Sequence, residues 1–129
     1  MMRKPKTIKF KKLKKPKFKG CSLDQFKRHC LKSNGIGYMY IIRLDGDGES
    51  FIKVGISSNI ENRFKSIPYS CTVLKLISGS ATSIYVREQQ VHKMLKEQRY
   101  IPQKRFGGRY ECYPLSSCAL LGVSERNQF

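Results

Sequence analysis

The sequence predicts an α+β fold: a small three-stranded antiparallel sheet flanked by helices. Two β-prone apolar runs, residues 38–42 (YMYII) and 51–55 (FIKVG), flank the acidic glycine turn Asp45-Gly46-Asp47-Gly48. Aromatic and β-branched residues suit a pleated surface, and Asp-Gly pairs tolerate the positive φ of a tight hairpin. A third run of mixed alternation, residues 71–77, closes at Ser78-Gly79-Ser80, and the longest stretch with helical spacing runs from Ala81 to about Gln98. Three strands are the smallest sheet expected to hold with helices packed on it.

Residues 1–20 alternate lysines with Pro5, Pro16 and scattered apolar residues, too little apolar surface to offset ordering entropy, so they read as a basic arm. Ser22-Leu23-Asp24-Gln25 reads as a capping box opening a short helix to about Lys32, with Leu23, Phe26 and Cys30 on one side. Ser33-Asn34-Gly35 stops it, and 21–36 is taken as short helix and linker. After the hairpin, Asn59 is the expected N-cap of a helix that carries Ile60, Arg63 and Phe64 on one side and ends at Pro68. Ser80 or Thr82 caps the long helix, whose inner face is expected to carry Ile84, Val91 and Leu95. Residues 99–109, RYIPQKRFGGR, form a basic loop in which Gly107 and Gly108 allow close approach to a backbone. Residues 110–113 read as a short extended segment, 115–123 as a final short helix within a C-terminal extension of 115–129, and 124–129 as a frayed end.

The 129 residues suffice for one domain with a modest core. Twenty-six Lys+Arg against nine Asp+Glu give a formal net charge of +17, which points to a polyanionic partner. Arg3 and nine lysines fall within residues 3–19 with no acid before Asp24, leaving about +7 on the remainder. DNA is the expected partner, contacted through the arm (3–19) and the loop (99–109), with RNA left open. No apolar run approaches the roughly 20 residues of a membrane span, and the charged N-terminus lacks the apolar core of a secretory signal. The five cysteines are odd in number and contain no C-x-x-C pair, so neither a disulfide framework nor a zinc ribbon is indicated. A cytoplasmic, nucleic-acid-associated protein that is not secreted is expected.

Glu88 is the informative residue of the long helix, because it falls on the same stripe as Ile84, four residues away. An ionised group facing a core needs a partner: an arginine such as Arg63 or Arg87, a set of N–H donors, or a metal ion. His92, one turn further, forms an E-x-x-x-H spacing with Glu88 that can suggest a transition-metal pair, but it reads rather as a neighbour of that site, a phosphate contact or a surface residue. The isolated His29 receives no role. Tyr38 and Tyr40, two apart on a strand, share a face.

Taken in order, these pieces resemble the GIY-YIG nuclease domain over residues 37–114, in the branch with lysine in the second triplet. Tyr38-Met39-Tyr40 resembles the first triplet and Lys53-Val54-Gly55 the second; Arg63 falls at the helical arginine, Glu88 at the metal-binding glutamate, and residues 108–113 at a closing G-x-x-E segment. The resemblance implies a Mg²⁺-dependent DNA endonuclease, with Mn²⁺ as a substitute metal. Tyr40 would be the general base, Arg63 the phosphate clamp and Glu88 the metal ligand, with Tyr38, Lys53, Arg43 and His92 in supporting roles. A phenol's reference pKa lies near 10, so a tyrosine base needs nearby positive charge, for which Lys53 and Arg43 are the expected sources. Glu111 is expected to be structural, capping or pairing with a basic residue. A non-catalytic nucleic-acid-binding module is the alternative, since the charge alone suffices for binding. A weaker third reading is a basic protein that targets an acidic protein partner.

Overall fold

The computed structural model of the chain describes residues 21–126, so the expected arm (1–20) and residues 127–129 lie outside the described residues. Strands β1 (Ile36–Gly46), β2 (Glu49–Ser57), β3 (Ser70–Ser80) and β4 (Cys112–Pro114) form one antiparallel sheet in the order β3-β1-β2-β4. Helices α1 (Leu23–Cys30), α2 (Ile60–Arg63), α3 (Ala81–Leu95) and α4 (Ser117–Leu121) accompany it. The α+β class holds, but the sheet has four strands rather than the expected three. The additional strand is the segment read as merely extended. Three residues carry no strand periodicity of their own, and they become a strand by pairing with Phe51, Ile52 and Lys53 of β2.

The hairpin turns on Asp47 and Gly48, with φ of 50° and 78°, the sign that a two-residue turn between twisted antiparallel strands requires. Gly46 pairs with Glu49 at the turn, Ile42 with Lys53, and Tyr40 with Gly55. Both faces of β1 and β2 are covered, which explains the unbroken apolar run in β1. Met39, Ile41, Ile52 and Val54 pack with Phe26 and Cys30 of α1, and with Ile84 and Leu95 of α3. Tyr40, Ile42, Leu44 and Phe51 pack on the other face with Ile67, Tyr69 and Cys112.

The caps form as the sequence requires. Ser22 Oγ accepts from the Gln25 N–H at 3.2 Å, and Gln25 Oε1 accepts from the Ser22 N–H at 2.9 Å. Asn59 Oδ1 accepts from Asn62 N–H, but α2 is a single turn ending at Arg63, well before Pro68. Ile67 and Tyr69 beyond it are drawn into the second core instead. Ser80, not Thr82, caps α3 by accepting from Ser83 N–H. The buried stripe of α3 is Ala81, Ile84, Glu88, His92 and Leu95, with His92 taking the inner position expected of the half-buried Val91. The short helix α1 contributes Phe26 and Cys30, two of the residues expected on its one side, to the core, and α4 contributes Cys118. All five cysteines are free, and no helix among the described residues is long and apolar enough to cross a membrane.

Candidate functional site

Three elements converge on the Tyr40 hydroxyl. Lys53 on β2 is fully buried, and its Nζ donates to Tyr40 Oη at 2.7 Å and to Glu111 Oε1 at 3.0 Å. Arg63, the last residue of α2, donates from Nε to the same phenolic oxygen at 3.1 Å. Two cationic donors therefore meet on one oxygen. Burial is the strongest single influence on the Lys53 ammonium and acts to lower its pKa. The Tyr40 oxygen and the Glu111 carboxylate outweigh that, and the pKa is raised above the ordinary lysine value. The same opposition, burial against Tyr40, leaves the Arg63 pKa raised as well.

Two glycines make room for this pair. A Cβ on Gly55, which lies opposite Tyr40, would stand 2.3 Å from Tyr40 Oη and 2.8 Å from Lys53 Nζ. A Cβ on Gly108 would stand 2.4 Å from Lys53 Cε, and the φ of +89° there favours glycine independently. The K-x-G string of residues 53–55 and the glycine of residues 108–111 thus answer to one packing requirement.

Beside this network, Glu88, His92 and Glu111 bring one ligand atom each to within 4.8 Å of one another, and all three are buried. His92 Nε2 lies 3.2 Å from Glu88 Oε2 and its Nδ1 lies 2.5 Å from Tyr113 Oη. To ligate a cation through Nε2, His92 would carry its proton on Nδ1 and donate it to Tyr113 Oη; in the other neutral tautomer Nε2–H donates to the Glu88 carboxylate and Nδ1 accepts from Tyr113. Burial pushes the Tyr113 phenol up to about 12, so the hydroxyl keeps its proton. Two carboxylates and an imidazole at this spacing fit a divalent cation: the 3.2 Å between Glu88 and His92 matches adjacent ligands around one ion with bonds of about 2.1 Å. Arg63, Glu88 and Glu111 line a cleft of about 270 Å³ together with Cys21, Ile56 and Ser57.

Of the residues picked from the sequence, Tyr40, Lys53 and Arg63 meet by hydrogen bonds, and Glu88 and His92 adjoin them through Glu111. Tyr38 is half-buried two residues along β1, opposite Ser57 of the cleft wall. Arg43 is not brought in. Its parity sends it away from Tyr40, and it donates to Asp45 at 3.1 Å and to the Glu125 carbonyl at 3.2 Å. Arg63 supplies the second cation in its place. Glu111 pairs with a basic residue as expected, but it is also the third member of the carboxylate and histidine cluster. His29 is exposed yet stands on the cleft rim. Tyr113, which orients His92, had no sequence signal beyond its aromatic character.

The strings in residues 37–114 suggested the GIY-YIG nuclease domain, but the family model that matches the chain is a different one, and that assignment does not hold. The physical reason lies in the strings themselves. A tyrosine, a buried lysine and glycines that spare them a clash satisfy a local packing demand, which a hairpin can meet in more than one family. No curated protein and no solved structure matches the chain. The model for the T5orf172 domain matches residues 37–126, beginning at β1 and running through α4, and the chain belongs to that family.

Proposed function

We propose that this chain is a metal-dependent endonuclease that hydrolyses DNA phosphodiester bonds. The observation that carries the reading is the juxtaposition of a phenolic oxygen gripped by Lys53 and Arg63 with the buried cluster of Glu88, His92 and Glu111. Such a site combines a proton acceptor, a phosphate-binding guanidinium and a cation-binding acid pair. The net charge of +17 supports a polyanionic substrate.

In this reading Tyr40 acts as a phenolate, an oxyanion held by the Lys53 and Arg63 donors; it takes the proton of the attacking water to become a neutral phenol, and the hydroxide attacks phosphorus. Arg63 spends Nε on Tyr40, and its remaining N–H donors bind phosphate oxygens and oppose the charge that develops on them. Glu88, His92 and Glu111 would hold a divalent cation, Mg²⁺ or Mn²⁺, the mixed oxygen and nitrogen donor set suiting Mn²⁺ at least as well. When bound, the cation supplies Lewis-acid polarisation of the phosphate and relief of charge on the leaving oxygen. Lys53 fixes Tyr40 and Glu111 relative to each other, and Tyr113 fixes His92.

A second reading, a non-catalytic nucleic-acid-binding module, is favoured by one observation: Tyr40 is fully buried and is not part of the cleft wall. Plasmid nicking by wild type, Arg63→Ala and Glu88→Ala, with Mg²⁺, with Mn²⁺ and with EDTA, separates the two. The endonuclease reading expects cutting by wild type only with metal, and a loss of about 10²-fold or more in each variant. Equal DNA binding by all three proteins with no cutting by any of them would leave the binding module in its place.

A further inference from the structure

A second cleft, of about 340 Å³, lies on the other side of Arg63, between it and the loop that carries Phe106, Gly107, Gly108, Arg109 and Tyr110. Arg63 and Glu111 line both clefts and so form the wall they share. We propose that this second cleft holds one unstacked nucleobase of a DNA strand whose neighbouring phosphate is engaged by Arg63. The inference rests on the reading of the first cleft as a phosphodiester site.

The lining has the chemistry of a base-stacking platform. Phe106 and Tyr110 offer two rings, and Arg109 a planar guanidinium, all surfaces on which bases stack with little regard to sequence. These walls are fixed in advance. Arg109 donates from Nε and Nη2 to the Pro102 carbonyl at 3.0 and 2.9 Å, which holds its guanidinium 5.9 Å from the Tyr110 ring. Phe106 stands edge-on to Tyr69 at 5.9 Å. Tyr110 is 37% exposed, a large ring left partly in water beside a cleft. A Cβ on Gly107 would meet nothing within 4 Å, so the loop leaves open space there.

Size selects the occupant. The volume is at the low end of the roughly 300–1,000 Å³ typical of ligand pockets, enough for one nucleotide and too small for a base pair in its duplex. A base stacked inside a duplex cannot enter, so the occupant is unpaired, from a single strand or extruded from a helix.

The test uses the full chain in EDTA, so that no strand is cut, and compares two single-stranded DNA oligonucleotides of equal length by fluorescence anisotropy. One carries normal bases; the other is abasic throughout and keeps every phosphate. Wild type is expected to bind the normal strand about tenfold more tightly, as stacking of a base contributes by alanine substitution. Tyr110→Ala should reduce that ratio towards one, and Tyr110→Phe should preserve it. A wild-type ratio of one, or a ratio unchanged in Tyr110→Ala, overturns this inference and leaves the phosphodiester reading standing. Binding of neither strand overturns both.

Discussion

Gly55 and Gly108 are the positions at which one added carbon would strike the Lys53–Tyr40 pair, so the site's geometry depends on residues that have no side chain. Lys53 and Tyr40 are both fully buried, and neither can retreat into solvent from a new methyl group. Gly55→Ala is therefore expected to destabilise the fold by about 1–3 kcal/mol through overpacking. Gly107→Ala, where nothing lies within 4 Å of the new Cβ and φ is not positive, should change stability by less than about 0.5 kcal/mol. Urea unfolding of both variants measures the difference, and equal effects would refute this packing account. At this scale Glu88 stands out in the sequence as an acid on an apolar helical stripe, whereas Tyr40, Lys53 and Arg63 are singled out by the family resemblance and not by their local pattern. The sequence misjudged Arg43, whose charge is visible there while its orientation follows from strand parity and from the nearby Asp45.

Among the elements, the β1–β2 hairpin and the 100–104 segment are joined by Glu49. Its carboxylate accepts from the hydroxyls of Tyr69 (2.6 Å) and Tyr100 and from the Gln103 N–H. Burial, the largest single influence, acts to raise its pKa. The bonds from Tyr100, Tyr69 and Gln103 outweigh it, with help from the charge on Lys104, so the pKa is lowered overall. The Tyr100 phenol is pushed up to about 12, chiefly by its hydrogen bond to Glu49. A carboxylate with a depressed folded-state pKa stabilises the fold above its unfolded value of about 4.3, and that contribution is lost as pH falls through the folded value. Melting temperatures recorded from pH 6 down to pH 3 should therefore fall more steeply below about 4.3 in wild type than in Glu49→Gln, which lacks the contribution throughout. Parallel acid limbs would show that Glu49 adds no pH-dependent stability. The tie between Glu49 and this loop also positions the walls of the second cleft, since Gln103 and Arg109 lie on the same stretch.

For the whole molecule, charge is the dominant property. Of the net +17, Arg3 and nine lysines in residues 3–19 supply more than half, and about +7 remains elsewhere. DNA affinity is expected to fall linearly in a plot of log K against log salt, with a slope near 0.9 per phosphate neutralised. Replacing those nine lysines by serine should reduce the magnitude of the slope and leave measurable salt-dependent binding by the remainder. An unchanged slope, read by anisotropy across a salt series, would mean that the arm does not touch the backbone. The family match extends beyond Pro114 to residue 126, in keeping with Ser117 and Cys118 of α4 being buried against the rest of the fold.

The sequence by itself determined what depends on neighbours along the chain. The Asp-Gly hairpin, the caps at Ser22 and Asn59, the long helix with an acid in its apolar stripe and the basic charge all follow from spacings of a few residues, whereas the choice of Asp47 and Gly48 as the two turn residues follows from strand register. Tertiary structure decided what depends on register and docking. Cys112–Pro114 becomes a strand only by pairing with β2, and Glu111 reaches Lys53 across 58 residues of chain. Glu88 and His92 are neighbours by helix spacing, but only that closure brings Glu111 to them and gives Arg63 a partner on the wall of two clefts. A strand alternates every two residues and a helix turns every 3.6, and these periods say which way a side chain faces within its element. They do not say what it will meet, because that is settled by packing between distant segments.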